Sequence, residues 1–259
     1  MKTIKAFLYT ACFIAIMAGA WNIFNMNRST AHATELYNTL SEAKPSAAPE
    51  IQDDVSAGYN PVKNPWLKDL QKQNDELAAW ISVDGTNINY PVMQTREDND
   101  FYLDHDFSGE YDDHGTPFLD VSCSLKDSDN LVIYGHHMQD KTMFQNLVKF
   151  REAEFCEENG GMCLDTVEDS RRYQLAFVIV ISAVEAKDFP YFHITDFPQE
   201  ADYRDFIEKC EKYAVWQSST PPEFGTRLLT LSTCEYTKLD GRLVVIAQEV
   251  GVEEGDNTL

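Results

Sequence analysis

The chain has 259 residues, enough for one sizeable domain with accessory segments. It carries 43 acidic against 21 basic residues, a formal net charge of −22, and no basic stripe that could neutralise phosphates; this argues against a nucleic-acid partner. Its six cysteines include no C-x-x-C pair, so neither a zinc ribbon nor a thioredoxin motif is legible.

Lys2 and Lys5 precede an uncharged stretch from Ala6 to Asn27, mostly apolar as far as Phe24. That is near the roughly 20 residues needed to span a bilayer. Lysines on the N-terminal side predict that this end stays cytoplasmic and that the rest of the chain is outside. Residues 1–27 are therefore expected to form a single-pass membrane anchor. The alternative is a cleaved secretory signal, with Ala31-His32-Ala33 as its small-residue site. Residues 28–62 are rich in Ala, Ser, Pro and acids and read as a flexible extracellular stalk, with a helical start continuing from the anchor.

The folded domain is expected over residues 63–252. Asn64 can cap a helix whose first position is Pro65. Trp66, Leu67, Leu70 and Leu77 give a helical stripe reaching Trp80. Ile81 to Met93 alternates like a hairpin about Asp84-Gly85. Glu97 to Asp120 is strongly acidic and reads as a solvated surface; calcium would suit clustered carboxylates, but the spacing is not that of an EF-hand. Phe118-Leu119-Asp120 is a short strand. Asn130 to Tyr134 is an apolar strand followed by Gly135, which frees the backbone, and then by His136 and His137. Thr142 to Phe150 reads as a short helix. Cys156 and Cys163 flank Gly160-Gly161 and could bridge, although spacing alone does not establish disulfide geometry.

Tyr173 to Val184 is the longest strand candidate, apolar almost throughout and so buried on both faces or in a barrel wall. An aromatic loop, Ala186 to Phe197, leads into a helix over Pro198 to Ala214, with Tyr203, Phe206, Ile207 and Cys210 at helical spacing. Two buried strands follow. Arg227 to Tyr236 contains Ser232-Thr233-Cys234-Glu235, and Gly241 to Ala247 contains Arg242 near its start. Residues 253–259 form an acidic tail.

Cys234 at one strand end, His136 at another and Arg242 at a third point to nucleophilic acyl transfer. The thiolate attacks a carbonyl, an imidazole moves protons, and a fixed cation stabilises the oxyanion. Each residue has an ordinary alternative: a buried structural cysteine, a surface histidine, a solvated arginine. Adjacent side chains in an extended chain point oppositely, so only one of His136 and His137 should face the thiol. Asp120 and Asp129 are open candidates for a third proton-relay member. No ligand set for a metal is apparent.

The same residues carry a resemblance. Thr230-Leu231-Ser232-Thr233-Cys234, with Arg242 eight residues on, and Tyr134-Gly135-His136 resemble the active-site motifs of sortases, the cell-wall transpeptidases of Gram-positive bacteria. The similarity runs from about Trp66 to Val250 and is greatest to class B, whose helix before the nucleophile strand this chain shares. It implies a mainly β, eight-stranded barrel with peripheral helices. It implies that Cys234 attacks the Thr carbonyl of an L-P-x-T-G- or N-P-x-T-N-like sorting signal of a secreted protein. The thioester then passes to an amine, usually of a peptidoglycan precursor, with no cofactor. The resemblance assigns the catalytic roles to Cys234, His136 and Arg242, and peptide binding to Ser232, Thr233, Glu235 and Tyr191. A pilin lysine as acceptor, giving a pilus polymerase, is the variant reading. An L,D-transpeptidase would need Gly before the Cys and Arg two residues after it, where this chain has Thr233 and Tyr236. An anchored surface binding protein with an inert thiol is the non-enzymatic alternative.

Overall fold

The computed structural model describes residues 2–45, 64–182, 184–237 and 240–250, without the side chains of residues 2–11, Asn22, Asn25 and Glu235. The tail expected over 253–259 and residues 46–62 of the stalk lie outside them.

A long N-terminal helix, α1 (Lys2–Glu42), is followed by a short one, α2 (Pro65–Leu70). Strands β1 (Leu77–Val83) and β2 (Asn89–Met93) make the expected hairpin, with Gly85 at φ +68° in its turn. Next come β3 (Phe118–Leu119), β4 (Asn130–Tyr134), a 3-10 segment (Phe144–Arg151), α3 (Ala153–Glu158), β5 (Gly161–Asp165) and β6 (Ser170–Ile181). Helix α4 (Glu200–Tyr213), β7 (Ala214–Gln217), β8 (Leu228–Glu235) and β9 (Gly241–Val250) complete the domain.

The strands pair in the order β5-β1-β2-β3-β4-β8-β9-β6-β7, and β5 also pairs with β6. That second pairing closes eight strands into the expected barrel and leaves β7 as an outer extension of β6. Closure removes the exposed edges of the eight. Alternation along the wall strands builds the core on two sides. Leu243, Val245 and Ala247 of β9 pack into one cluster with Leu229 and Leu231 of β8. Val244 and Ile246 face the other way, onto Tyr203, Phe206 and Cys210 of α4. β9 is therefore buried on both faces, which is why it reads as an unbroken apolar run. Helix α4 starts on a capping box in which the Gln199 side chain accepts from the backbone at Asp202 and the Asp202 side chain accepts from Gln199.

Several expectations change. The helical stripe breaks at Leu70, and Leu77 and Trp80 belong to β1. The Trp80 indole is fully buried, donates to Asn89 Oδ1 at 2.7 Å and meets Trp66 edge-on. Asn64 does not cap α2 through its side chain; its amide spans to Thr166 O and Asp169 O and ties α2 to the β5–β6 turn. The acidic stretch is not simply a solvated face. Asp106, Asp112 and Asp120 are buried, and their carboxylates accept backbone N–H groups at tight turns. Among the described residues no cluster is suited to hold a metal ion. Cys156 and Cys163 are both free and buried, bonded to Phe150 O and to Asp165 respectively.

The stalk expectation also changes. Residues 28–42 continue α1, and Ala33, Tyr37 and Leu40 bury one helical face against the barrel. Tyr37 donates to Gly115 O at 2.8 Å and packs edge-on against Tyr90, and Lys44 pairs with buried Asp165. Among the described residues no helix is long and apolar enough to cross a membrane. The expected anchor therefore has no support from the described part of α1; the side chains of residues 1–11 lie outside it.

Candidate active site

Strand pairing brings the three candidate residues to one rim. β4 and β8 run parallel, with Tyr134 opposite Ser232. The residues that follow each strand position, Gly135-His136 and Thr233-Cys234, therefore leave the barrel side by side. β8 and β9 are antiparallel, with Cys234 directly opposite Arg242. Directly paired side chains share a face, with Cβ atoms about 4.5–5.5 Å apart. The grouping of the three candidates follows from two registers of the sheet.

All three line one cleft of about 740 Å³, together with Tyr191, Ser232 and Thr233. Cys234 is half-buried, while Cys123, Cys156, Cys163 and Cys210 are buried. Burial pushes the thiols of Cys123 and Cys163 up to about 12 and that of Cys156 to about 11, and it raises Cys210 well above the ordinary value. Those four stay protonated and poorly nucleophilic at neutral pH.

The two histidines diverge as alternation requires. His136 lines the cleft with Cys234, and its Nε2 lies 2.6 Å from the Leu103 carbonyl, to which it donates. That bond holds the ring and leaves Nδ1 as the other nitrogen. His137 turns to a separate hollow on the α1 side; its Nδ1 donates to Cys234 O at 2.9 Å, and Tyr236 packs edge-on against the ring. Neither Asp120 nor Asp129 meets His136. Asp120 accepts from the Tyr134 hydroxyl at 2.9 Å, and Asp129 accepts the Phe197 N–H at 2.8 Å. The partner of the His136 ring is a backbone carbonyl, which no side-chain motif announces.

Arg242 is exposed on the rim, and its Nη1 donates to Gly241 O at 3.0 Å. Tyr191 is buried beneath the cleft, its hydroxyl 2.8 Å from Ser232 Oγ. Burial pushes that phenol up, against the opposing pull of the Ser232 bond and of Arg242. Thr233 Oγ1 is buried beside Cys234 and has no hydrogen-bond partner among the described residues. The Glu235 side chain lies outside them. Asn99, Leu103, Tyr134 and Phe192 also line the cleft. Nothing in the sequence from Asn99 to Leu103 marks that stretch as part of a cleft wall. Leu103, 42% exposed, stands at the mouth as an apolar contact.

Gly135 serves a different purpose from the one its sequence context suggests. Its φ is not in the left-handed region, so no backbone freedom is used. A Cβ there would stand 2.6 Å from the ring of fully buried Phe144. Gly135→Ala is therefore expected to cost about 1–3 kcal/mol by overpacking and to shift His136. A thermal melt together with a peptide-cleavage assay checks this; an unchanged melting temperature with full activity contradicts it.

Comparison with known proteins bears on the family. The family model described as Sortase domain matches residues 81–250. Sortase B of Staphylococcus aureus (strain NCTC 8325 / PS 47) is 32% identical over 191 residues, which cover 73% of this chain and 76% of that one. Sortase B of Listeria monocytogenes serovar 1/2a is 31% identical over 209 residues, covering 80% and 81%. Among solved structures, a mutant form of Clostridium perfringens sortase B superposes with a TM-score of 0.73 at 30% identity, covering 84% of this chain and 98% of that one. A Staphylococcus aureus sortase B-substrate complex gives 0.72 at 28% identity, covering 87% and 100%.

Proposed function

The chain belongs to the sortase family, as a class B cysteine transpeptidase, and from that premise we propose that it cleaves a sorting signal of secreted proteins and passes the acyl group to a cell-wall amine. The observation that carries this reading is the placement of Cys234, His136 and Arg242 on one cleft rim by the β4–β8 and β8–β9 registers. In the first step the Cys234 thiolate attacks the Thr carbonyl of an L-P-x-T-G- or N-P-x-T-N-like peptide. The peptide bond breaks, and His136 gives a proton to the departing amine. In the second step His136 takes a proton from the amine of a peptidoglycan precursor. That amine attacks the thioester and releases Cys234. Each step exchanges one acyl bond for another, so the balance needs no cofactor.

Arg242 directs its charge at the carbonyl oxygens of the bound peptide. Ser232, Thr233, Glu235 and Tyr191 bind the peptide. The buried hydroxyl of Thr233, which has no partner among the described residues, supports a contact made only when substrate is present, since such groups ordinarily find partners. Incubation with a peptide library and simple amines, followed by product sequencing, tests the reading. It expects scission after Thr and incorporation of the amine there. Scission elsewhere, or none, overturns it.

Arg242 separates oxyanion stabilisation from a surface charge. Loss of an oxyanion donor costs about 2.7–4 kcal/mol, roughly 10²–10³ in rate. Arg242→Ala is expected to lose acylation on that scale with little change in melting temperature. Arg242→Lys keeps the charge without the planar fork and should recover only part. Single-turnover acylation and a thermal melt of both variants check this; near-normal acylation in Arg242→Ala contradicts it.

Residues 1–27 are assigned here to a membrane anchor that leaves the catalytic domain outside the cell. Support comes from the sequence alone: the uncharged run of Ala6 to Asn27 behind Lys2 and Lys5. Deletion of residues 1–27 should release an active soluble domain from membranes. Recovery of the undeleted protein from the medium, cut after Ala33, would support the signal-peptide alternative.

A further inference from the structure

The loop that follows β4 carries His136 and is gripped by a cluster, centred on a buried histidine, that the transfer chemistry leaves unused. At its centre is His114, 3% exposed. Its Nδ1 is 2.7 Å from Asp112 Oδ1, and its Nε2 is 2.8 Å from Asp140 Oδ2. Both ring nitrogens face carboxylates, an arrangement that favours the doubly protonated, cationic ring. Burial works against that charge, but the bonds to Asp112 and Asp140 outweigh it and hold the His114 pKa up. Burial likewise opposes ionisation of the two carboxylates. The bonds from Thr142 and His114 nevertheless hold Asp140 down to about 2, and those from His114 lower Asp112.

Each carboxylate reaches further. Asp140 Oδ1 accepts the hydroxyl and N–H of Thr142 at 2.6 and 3.0 Å. Thr142 sits between Lys141 and Met143, two non-glycine residues at positive φ (70° and 53°), a conformation that persists only where the surroundings enforce it. The Phe144 N–H then closes the loop onto His136 O at 2.9 Å. On the other side, Thr30 of α1 donates to Asp140 Oδ2 at 2.9 Å and Ser29 donates to Asp112 Oδ1 at 3.2 Å.

We propose that His114 is a positioning residue for the transfer reaction: clasped between Asp112 and Asp140, it locks the loop that presents His136 to Cys234 and fastens α1 to that loop. The kinetic part of this rests on the sortase reading of His136; the mechanical part does not. Among the described residues the groups facing His114 come from three segments, and Ser29 Oγ lies 3.2 Å from its Nδ1. Its own loop supplies Asp112, with exposed Tyr111 and Asp113 bonded to each other. The loop after β4 supplies Asp140 and, across the same hollow, His137. Helix α1 supplies the neutral Ser29 and Thr30 and, next along, His32 paired with Asp106. Because the folded His114 pKa is raised, its contribution is complete below about 6.5 and fades as pH rises through the folded value. Because the two carboxylates are lowered, theirs is complete above about 4 and fades as pH falls through their folded values. The clasp is strongest between those limits.

The experiment compares full-length wild type with His114→Asn, Asp140→Asn and the double variant, all in detergent. Amide hydrogen exchange of residues 137–143 reads the loop directly. The kcat and KM for a sorting-signal peptide between pH 5 and 9 read its consequence. Exchange should quicken by about ten-fold or more in each single variant and no further in the double. The kcat should fall about ten-fold while KM moves less than about two-fold, and the wild-type advantage over His114→Asn should narrow towards alkaline pH. Unchanged exchange in a folded His114→Asn overturns the proposal, as does an additive double variant. If His114→Asn does not fold, Thr30→Val removes only the α1 bond to Asp140. Faster exchange in both 28–33 and 137–143 then supports the clasp, and unchanged exchange refutes it. A wild type that does not cleave the peptide counts against the sortase reading and leaves the exchange result standing.

Discussion

Cys234→Ala is expected to abolish cleavage and acyl-enzyme formation, with a rate loss on the order of the 10⁶ seen when a hydrolase loses its nucleophile. The fold should survive. Cys234 sits half-buried at the end of β8, and the change deletes one sulfur atom from a cleft wall. The melting temperature should therefore move by an amount equivalent to less than about 1 kcal/mol. The other five cysteines do not substitute. Cys123, Cys156, Cys163 and Cys210 are buried with thiols held protonated, and Cys12 is exposed on α1 and is not among the residues that line the cleft. Single Ala variants at those five should keep much of the activity per folded molecule. Intact-mass spectrometry after mixing with substrate reads the result, and a thioester adduct still forming in Cys234→Ala moves the nucleophile elsewhere.

His136→Ala should be far more damaging than His137→Ala. A positioned general acid–base contributes about 10²–10⁴ in rate, and of these two histidines His136 is the one that lines the cleft with Cys234. His137 faces the hollow on the α1 side and holds the Cys234 carbonyl through Nδ1. Its loss should loosen the strand end and cost about ten-fold or less, as for the loss of one hydrogen bond worth about 1 kcal/mol. Single-turnover acylation of both variants decides the matter, and comparable losses or the reverse order would sink the assignment.

The site was more legible in the sequence than the shell around it, for physical reasons. Strands β4, β8 and β9 are buried over most of their length, so they appear as nearly continuous apolar runs, and the polar residue at one end of each run is conspicuous. The barrel's closure is different: it depends on β5, whose five residues Gly161 to Asp165 carry too little periodicity to register. Leu77 and Trp80 fit a helical stripe as well as they fit a strand, and tertiary pairing with β2 and β5 settled them as β1. Ala33, Tyr37 and Leu40 are spaced for one helix face, yet the surface they cover is assembled from β2 and the loop at Gly115, far along the chain. The acidic stretch looked like solvated charge because nothing local shows that Asp112 and Asp140 converge on His114. The Leu103 carbonyl that holds His136 is backbone, and its position is a property of the fold.

The central claim is that Cys234 carries the acyl group between two peptides. Its most direct test is to mix the full chain with a sorting-signal peptide, quench in acid at short times, and map the modified residue by mass spectrometry. A parallel sample receives an amine before quenching. The account predicts a thioester on Cys234 that ends at the Thr carbonyl and disappears as the amine adduct of that same Thr accumulates. Amine adduct formed with no enzyme-bound intermediate, or an intermediate on a residue other than Cys234, would contradict it.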